Sequence, residues 1–148
     1  MDFALQEDLK RIVNFFAKRK EVLALYFFGS VAKGYLRKES DIDIAVLISP
    51  EFLERIPEVK EEYYNATPSF SLRPVDVVIL NTAPPLLRFE VFKHGKLLLD
   101  KDPEFRKNFL CKSLLEYYDY LYMEKLCFNY VKQRLKKDLE SEIKPAHG

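Results

Sequence analysis

Nowhere in its 148 residues does this chain carry the ~18–20 consecutive apolar residues that a membrane-spanning helix needs, and its N-terminus has no basic region, apolar core and small-residue cleavage site of the secretory type. A soluble, cytoplasmic protein with no membrane partner is the expectation. Cysteine is scarce as well. Cys111 and Cys127 stand far from any Cys or His pattern with zinc-ligand spacing, and both are read as reduced thiols packed on a helix. Charge of one sign is missing too: Lys+Arg 24 against Asp+Glu 23 leaves a formal net charge of +1. No whole-molecule field attracts nucleic acid or a lipid surface, so no direct nucleic-acid partner is expected and any charge-based function must be local. Internal repeats, low-complexity tracts and linkers are absent. What is present is 48% hydrophobic and 14% aromatic residues, enough for one core in a chain too short for two typical domains.

Periodicity supplies the elements. Leu5, Leu9, Ile12, Val13 and Phe16 have helical 3-and-4 spacing, after which Val22 to Phe28 is a compact apolar run read as a buried strand ending at Gly29. From Ile42 to Ile48 the order Ile42, Ile44, Val46, Ile48 against Asp43, Ala45, Leu47 has the two-residue period of a strand covered on both faces. That period puts Asp41 and Asp43 on one side. Phe52 to Tyr64 is spaced for a helix, the 65–74 stretch has turn chemistry and is expected to be a loop, and Val75 to Leu80 is a third strand. Asn81-Thr82 is expected to cap a helix holding Pro84 and Pro85 in its first turn and ending at Lys93-His94-Gly95. A short strand, Lys96 to Leu99, precedes a last helical region opened by Asp102-Pro103. Helices alternating with strands predict an α/β or α+β domain, a small mixed sheet flanked by helices and followed by C-terminal helices. One domain over 1–148 is expected, its core about 1–100 and its helical region about 102–140.

The chemistry gathers between Phe27 and Ile48. A Gly29-Ser30 turn into a helix near Val31 would present free backbone N–H groups and a hydroxyl to an anion, phosphate being the obvious one. Two carboxylates on one strand face, joined by Asp76 from a neighbouring strand, would repel one another unless a cation sat between them. Magnesium suits such a set and completes its shell with water and substrate phosphates, so a nucleoside triphosphate satisfies turn and carboxylates together. A Gly-Ser turn alone is more often structural. Asp43 and Asp76 are harder to dismiss, because each interrupts an apolar strand where an uncompensated charge is costly. A P-loop is excluded, since Gly34 is followed by Tyr35-Leu36 instead of Lys and Ser or Thr.

Gly29-Ser30-x-Ala32-Lys33-Gly34, five residues, then Ser40-Asp41-x-Asp43 resembles the signature of the DNA polymerase β-like nucleotidyltransferase superfamily, and Asp76 stands where its third carboxylate would. Size and element order look like the minimal nucleotidyltransferases, the MntA-type antitoxins encoded beside HEPN-domain toxins. Lys33 departs from the arginine of many relatives, keeping the charge without the bidentate geometry. The resemblance implies that Gly29 and Ser30 hold the ATP phosphates, that Asp41 and Asp43 bind two Mg²⁺ ions, and that Asp76 holds the ion on the acceptor side. It further implies transfer of AMP from ATP to a tyrosine of a HEPN ribonuclease toxin, within a hetero-oligomer. The alternatives are a non-catalytic antitoxin acting by binding and a small-molecule nucleotidyltransferase of the aminoglycoside-modifying kind.

Tyr117, Tyr118, Tyr120 and Tyr122 crowd one stretch, offering more ring surface than one buried helix face uses, and the excess suits a partner interface. The partner is expected beside Asp76, over residues 65–74 and the tyrosine-bearing helices. Lys132, Arg134, Lys136 and Lys137 read as a solvated helix face, His94 as a helix end and His147 as part of the terminus.

Overall fold

The computed structural model describes residues 3–29 and 41–143. In chain order they form α1 (Phe3–Ala17), β1 (Val22–Phe28), β2 (Ile42–Ile48), a 3-10 turn (Pro50–Arg55), α2 (Ile56–Phe70), β3 (Val75–Ile79), a second 3-10 turn (Leu80–Thr82), α3 (Pro85–His94), β4 (Lys96–Asp100) and α4 (Pro103–Ile143). The strands make one mixed sheet in the order β3-β2-β1-β4. β1 runs antiparallel to both β2 and β4, while β2 and β3, joined through α2, run parallel.

Strand alternation assigns the two faces. Ile42, Ile44, Val46 and Ile48 of β2 join Leu25, Phe27, Val77 and Ile79 in a core closed by α1 and α2 through Leu5, Ile12, Phe16, Val59 and Tyr63. Ala24, Tyr26, Phe28, Ala45 and Leu47 face the other way, against α3 and the first turns of α4 through Val91, Phe92, Phe105 and Phe109. With both faces covered, β1 and β2 read as the unbroken apolar runs of interior strands. An irregularity between Val22 and Ala24 lets Val22 pack on the α1 side although its even-numbered neighbours do not.

Several local expectations are corrected. Residues 65–70, expected as loop, continue α2 to Phe70 with Pro68 inside the helix. Pro68 has no N–H for the Tyr64 carbonyl, and the Thr67 hydroxyl donates to that carbonyl at 2.9 Å in its place. Burial of Thr67 and Phe70 against the first core holds the extra turn together, overriding the turn-forming composition. The end of α3 at Lys93-His94-Gly95 is as expected: Gly95, at φ −74°, lies so close to the Val91 carbonyl that an added Cβ would come within 2.4 Å. The C-terminal helices are one helix of 41 residues, capped by Asp102, whose Oδ1 accepts the Phe105 N–H at 3.1 Å. Both cysteines are free on α4, and both are exposed instead of packed.

Asn81 does not cap α3, for Pro84 precedes its first turn with no side-chain cap. β3 has its last partner at Val46–Ile79, which leaves Ile48 without a strand on that side. The Asn81 amide takes the place of one: its Oδ1 accepts the Ile48 N–H and its Nδ2 donates to the Ile48 carbonyl, each at 2.8 Å. Replacing Asn81 by Ala strands both backbone groups and is expected to cost about 1–3 kcal/mol. In a thermal melt that is a drop of about 2–4 °C for each kcal/mol; an unchanged melting temperature would show that water replaces the amide.

Candidate active site

Sheet register builds the site. Phe28 pairs with Asp43 across β1 and β2, and Asp43 pairs with Asp76 across β2 and β3, so the residues meet in one row at the end of the sheet where β1 finishes. Asp43 falls in the Ala45, Leu47 alternation and therefore lies on the α3 side of the sheet; parallel pairing sets Asp76 beside it, about 4.8 Å away between backbones. Gly29 closes the row from the β1 side. Its φ is +84°, and a Cβ there would lie 2.1 Å from Asp43 Oδ2, so the carboxylate occupies the space that any side chain at 29 would fill.

Asp43 is half-buried, while Asp41 and Asp76 are exposed. Burial pushes the Asp43 carboxyl above the usual carboxylate range, and the charges of Asp76 and Asp41 push it further the same way. Among the described residues no basic group or hydrogen-bond donor offsets it. Asp41 precedes β2 and shares a cleft of about 270 Å³ with Asp76, Lys60, Tyr64 and the backbone that opens β3. No set of three or more His, Cys, Asp or Glu among the described residues is gathered tightly enough to enclose a metal ion. The donor set is open, all carboxylate oxygen, and short of positive charge, which fits magnesium, a cation that keeps several waters and takes the rest of its shell from phosphate oxygens.

Of the residues singled out in the sequence, Gly29, Asp41, Asp43 and Asp76 converge here. Ser30, Lys33, Gly34 and Ser40 lie outside the described residues, as does His147. The tyrosine cluster is elsewhere. Tyr117 stacks on Phe89 at 4.1 Å and Glu116 pairs with Arg88, whose Nε donates to the Leu80 carbonyl. Leu80 is four residues past Asp76 along β3, about 13 Å away at ~3.3 Å per residue, so the tyrosine-bearing part of α4 is not beside Asp76 as expected. Tyr118, Tyr120 and Tyr122 are exposed there, as are Lys132, Arg134, Lys136 and Lys137; His94 is the exposed last residue of α3. Sequence reasoning missed Lys60 and Tyr64. Their signal was positional: they stand four apart on α2, next to the apolar stripe without belonging to it.

A model of the family described as polymerase beta nucleotidyltransferase matches residues 10–104, a span that holds Gly29 and all three aspartates. The chain belongs to that family. Among solved structures, this nucleotidyltransferase is similar to a chain in the crystal structure of a toxin–antitoxin with AMP-PNP, at 25% identity and a TM-score of 0.65, covering 84% of this chain and 98% of that one. Matches at 24% identity and TM-score 0.65, covering 86% of this chain and 98% of the other, are to the toxin–antitoxin MntA–HepT and to the complex of tri-AMPylated Shewanella oneidensis HEPN toxin with MNT antitoxin. No curated protein matches the sequence at a significant level. The fold class is thereby shown as that of the nucleotidyltransferases, α/β with a small mixed sheet. Among the described residues no helix is long and apolar enough to cross a membrane.

Two outcomes follow from the geometry. Gly29→Ala forces a side chain into the Asp43 carboxylate and a left-handed φ, costing roughly 1–2 kcal/mol for the backbone alone; a crystal structure of the variant should show Asp43 displaced, and an undisturbed carboxylate would contradict the close approach. Asp43→Asn removes a charge that burial and its neighbours disfavour. Because the folded pKa is raised, the ionised carboxylate subtracts from stability at neutral pH, and that cost fades as pH falls through the raised value. Metal-free Asp43→Asn should therefore melt above wild type at pH 7, with the gap closing toward about pH 4. A variant melting below wild type at pH 7 would refute the assignment.

Proposed function

We propose that this nucleotidyltransferase is an antitoxin that transfers AMP from ATP to a tyrosine of a cognate HEPN ribonuclease toxin and so neutralises it. The observation that carries the reading is the row Gly29–Asp43–Asp76: adjacent acids, with no ion pair to Asp43 among the described residues, set against a glycine, in a chain that covers 98% of a toxin–antitoxin chain crystallised with AMP-PNP. Asp41, Asp43 and Asp76 would hold two magnesium ions, which when bound neutralise phosphate charge and make the acceptor hydroxyl more acidic. Gly29, with Ser30, would take the triphosphate on backbone N–H groups and a hydroxyl.

The transfer itself needs little more than positioning. The tyrosine oxygen forms a bond to the α-phosphorus, the bond from that phosphorus to the bridging oxygen breaks, pyrophosphate carries off the electron pair, and the phenol proton passes to a carboxylate or water. Asp43, half-buried at the centre of the row, would hold a magnesium ion shared with the phosphates, and exposed Asp76 would hold the ion on the acceptor side. A core of about 1–100 would carry this chemistry and the helical region of about 102–140 would serve the partner. An antitoxin that worked by binding alone would gain nothing from Asp43, since without a cation the carboxylate only destabilises the sheet. A small-molecule acceptor would need a pocket of roughly 300 Å³ or more, whereas the cleft beside Asp76 holds about 270 Å³.

Incubation with Mg²⁺, ATP and the cognate toxin is expected to raise the toxin's intact mass by whole AMP increments and abolish its RNase activity. Asp43→Asn should lose about a hundredfold or more in rate, at ~1.4 kcal/mol per tenfold, and Asp76→Asn should bind the toxin without modifying it. An unmodified toxin inhibited by stoichiometric binding would move the function to a non-catalytic antitoxin.

A further inference from the structure

The row does not end at Asp76. β3 is the terminal strand of the sheet, and past it the cleft shared by Asp41 and Asp76 is walled by Lys60 and Tyr64 of α2. The two stand one helical turn apart on the same face. Tyr64 is 75% exposed although it sits on a helix firmly packed through its neighbours Tyr63 and Thr67, and among the described residues neither its hydroxyl nor the Lys60 ammonium has a partner. An exposed ring and an unpaired cation held rigidly beside two carboxylates contribute nothing to the core.

In-line displacement fixes what this cleft can receive. Attacking and leaving oxygens lie on opposite sides of the transferred phosphorus, and the order across the sheet is Gly29, Asp43, Asp76, then the cleft. With the leaving phosphates at the Gly29 end, the nucleophile enters over the outer edge of β3. We infer that Lys60 and Tyr64 form the acceptor subsite, taking a tyrosine side chain of the protein acceptor with its ring against Tyr64 and its phenol oxygen held between Lys60 Nζ and the carboxylate end of the row. Offset or edge-on ring contact sets the direction of approach, and the ammonium donates to the phenol oxygen while leaving a lone pair toward the phosphorus. The balance of the reaction is that given above, and both residues act by positioning. This inference rests on the adenylyl-transfer reading.

Steady-state transfer measured against varied toxin at saturating MgATP separates the two. Tyr64→Ala and Lys60→Ala are each expected to raise the KM for toxin by about tenfold or more with kcat within about threefold, the signature of lost acceptor binding; Tyr64→Phe, which keeps the ring, should restore the wild-type KM. ATP affinity by calorimetry and the melting temperature should not move, because the side chains are exposed and distant from Gly29. An unchanged KM in both alanine variants overturns the subsite. Weakened ATP binding with unchanged KM for toxin also overturns it, assigning the cleft to the nucleobase. Wild-type protein that adds no AMP at all removes the adenylyl-transfer reading and this inference with it.

Discussion

The register between β2 and β3 is the constraint on which the active end of the molecule depends. Parallel pairing sets Asp43 beside Asp76, and a slip of one residue would send Asp76 through to the α2 side of the sheet. Neither aspartate holds that register. It is held on the opposite face, where Ile42, Ile44 and Val46 pack with Val77 and Ile79, and at the strand ends, where the Ile42 N–H bonds the Pro74 carbonyl at 2.9 Å and the Asn81 amide clasps Ile48. Apolar burial on one side thus fixes the spacing of charge on the other, which would otherwise relax by separating.

Two half-sequestered acids in this fold meet opposite fates. Glu21 is buried at the turn into β1, but its own backbone N–H, the Arg19 guanidinium at 2.9 Å and the Tyr63 hydroxyl at 2.9 Å outweigh the burial and hold its carboxyl below the usual range. Arg19 also bonds Glu62, so the network ties the start of β1 to α2. Asp43 has burial without such partners among the described residues, and its carboxyl is pushed up. The first acid stabilises the framework; the second is a stored demand for positive charge, kept in place because the surrounding core over-determines the strand that carries it.

α4 divides into a packed and an unpacked part. Phe105, Phe109 and Tyr117 anchor its first four turns to α3, with the Arg88 guanidinium over the Phe109 ring at 5.0 Å. From Tyr118 onward Leu121, Phe128, Val131, Leu135 and Leu139 remain exposed. Such a face is built in the manner of an interface, and it lies toward the end of the sheet away from Asp76.

The sequence by itself determined the strands β1 and β2 to the residue, because each run, apolar but for Asp43, is bounded by a polar residue or glycine on either side. It also singled out Gly29, Asp41, Asp43 and Asp76, which the fold brings together, since a carboxylate inside an apolar strand and a glycine after one are anomalies visible without coordinates. It misjudged residues 65–70, where turn-forming composition lost to the burial of Thr67 and Phe70, and Asn81, whose capping chemistry was spent on a strand end distant in sequence. Only the tertiary structure decided that Asp43 and Asp76 share a row, that the tyrosines lie at the far end of the sheet, and that Lys60 and Tyr64 wall the cleft. Each of those facts is a pairing between segments, set by sheet register and helix packing, and local sequence carries no record of which segment its neighbour will be.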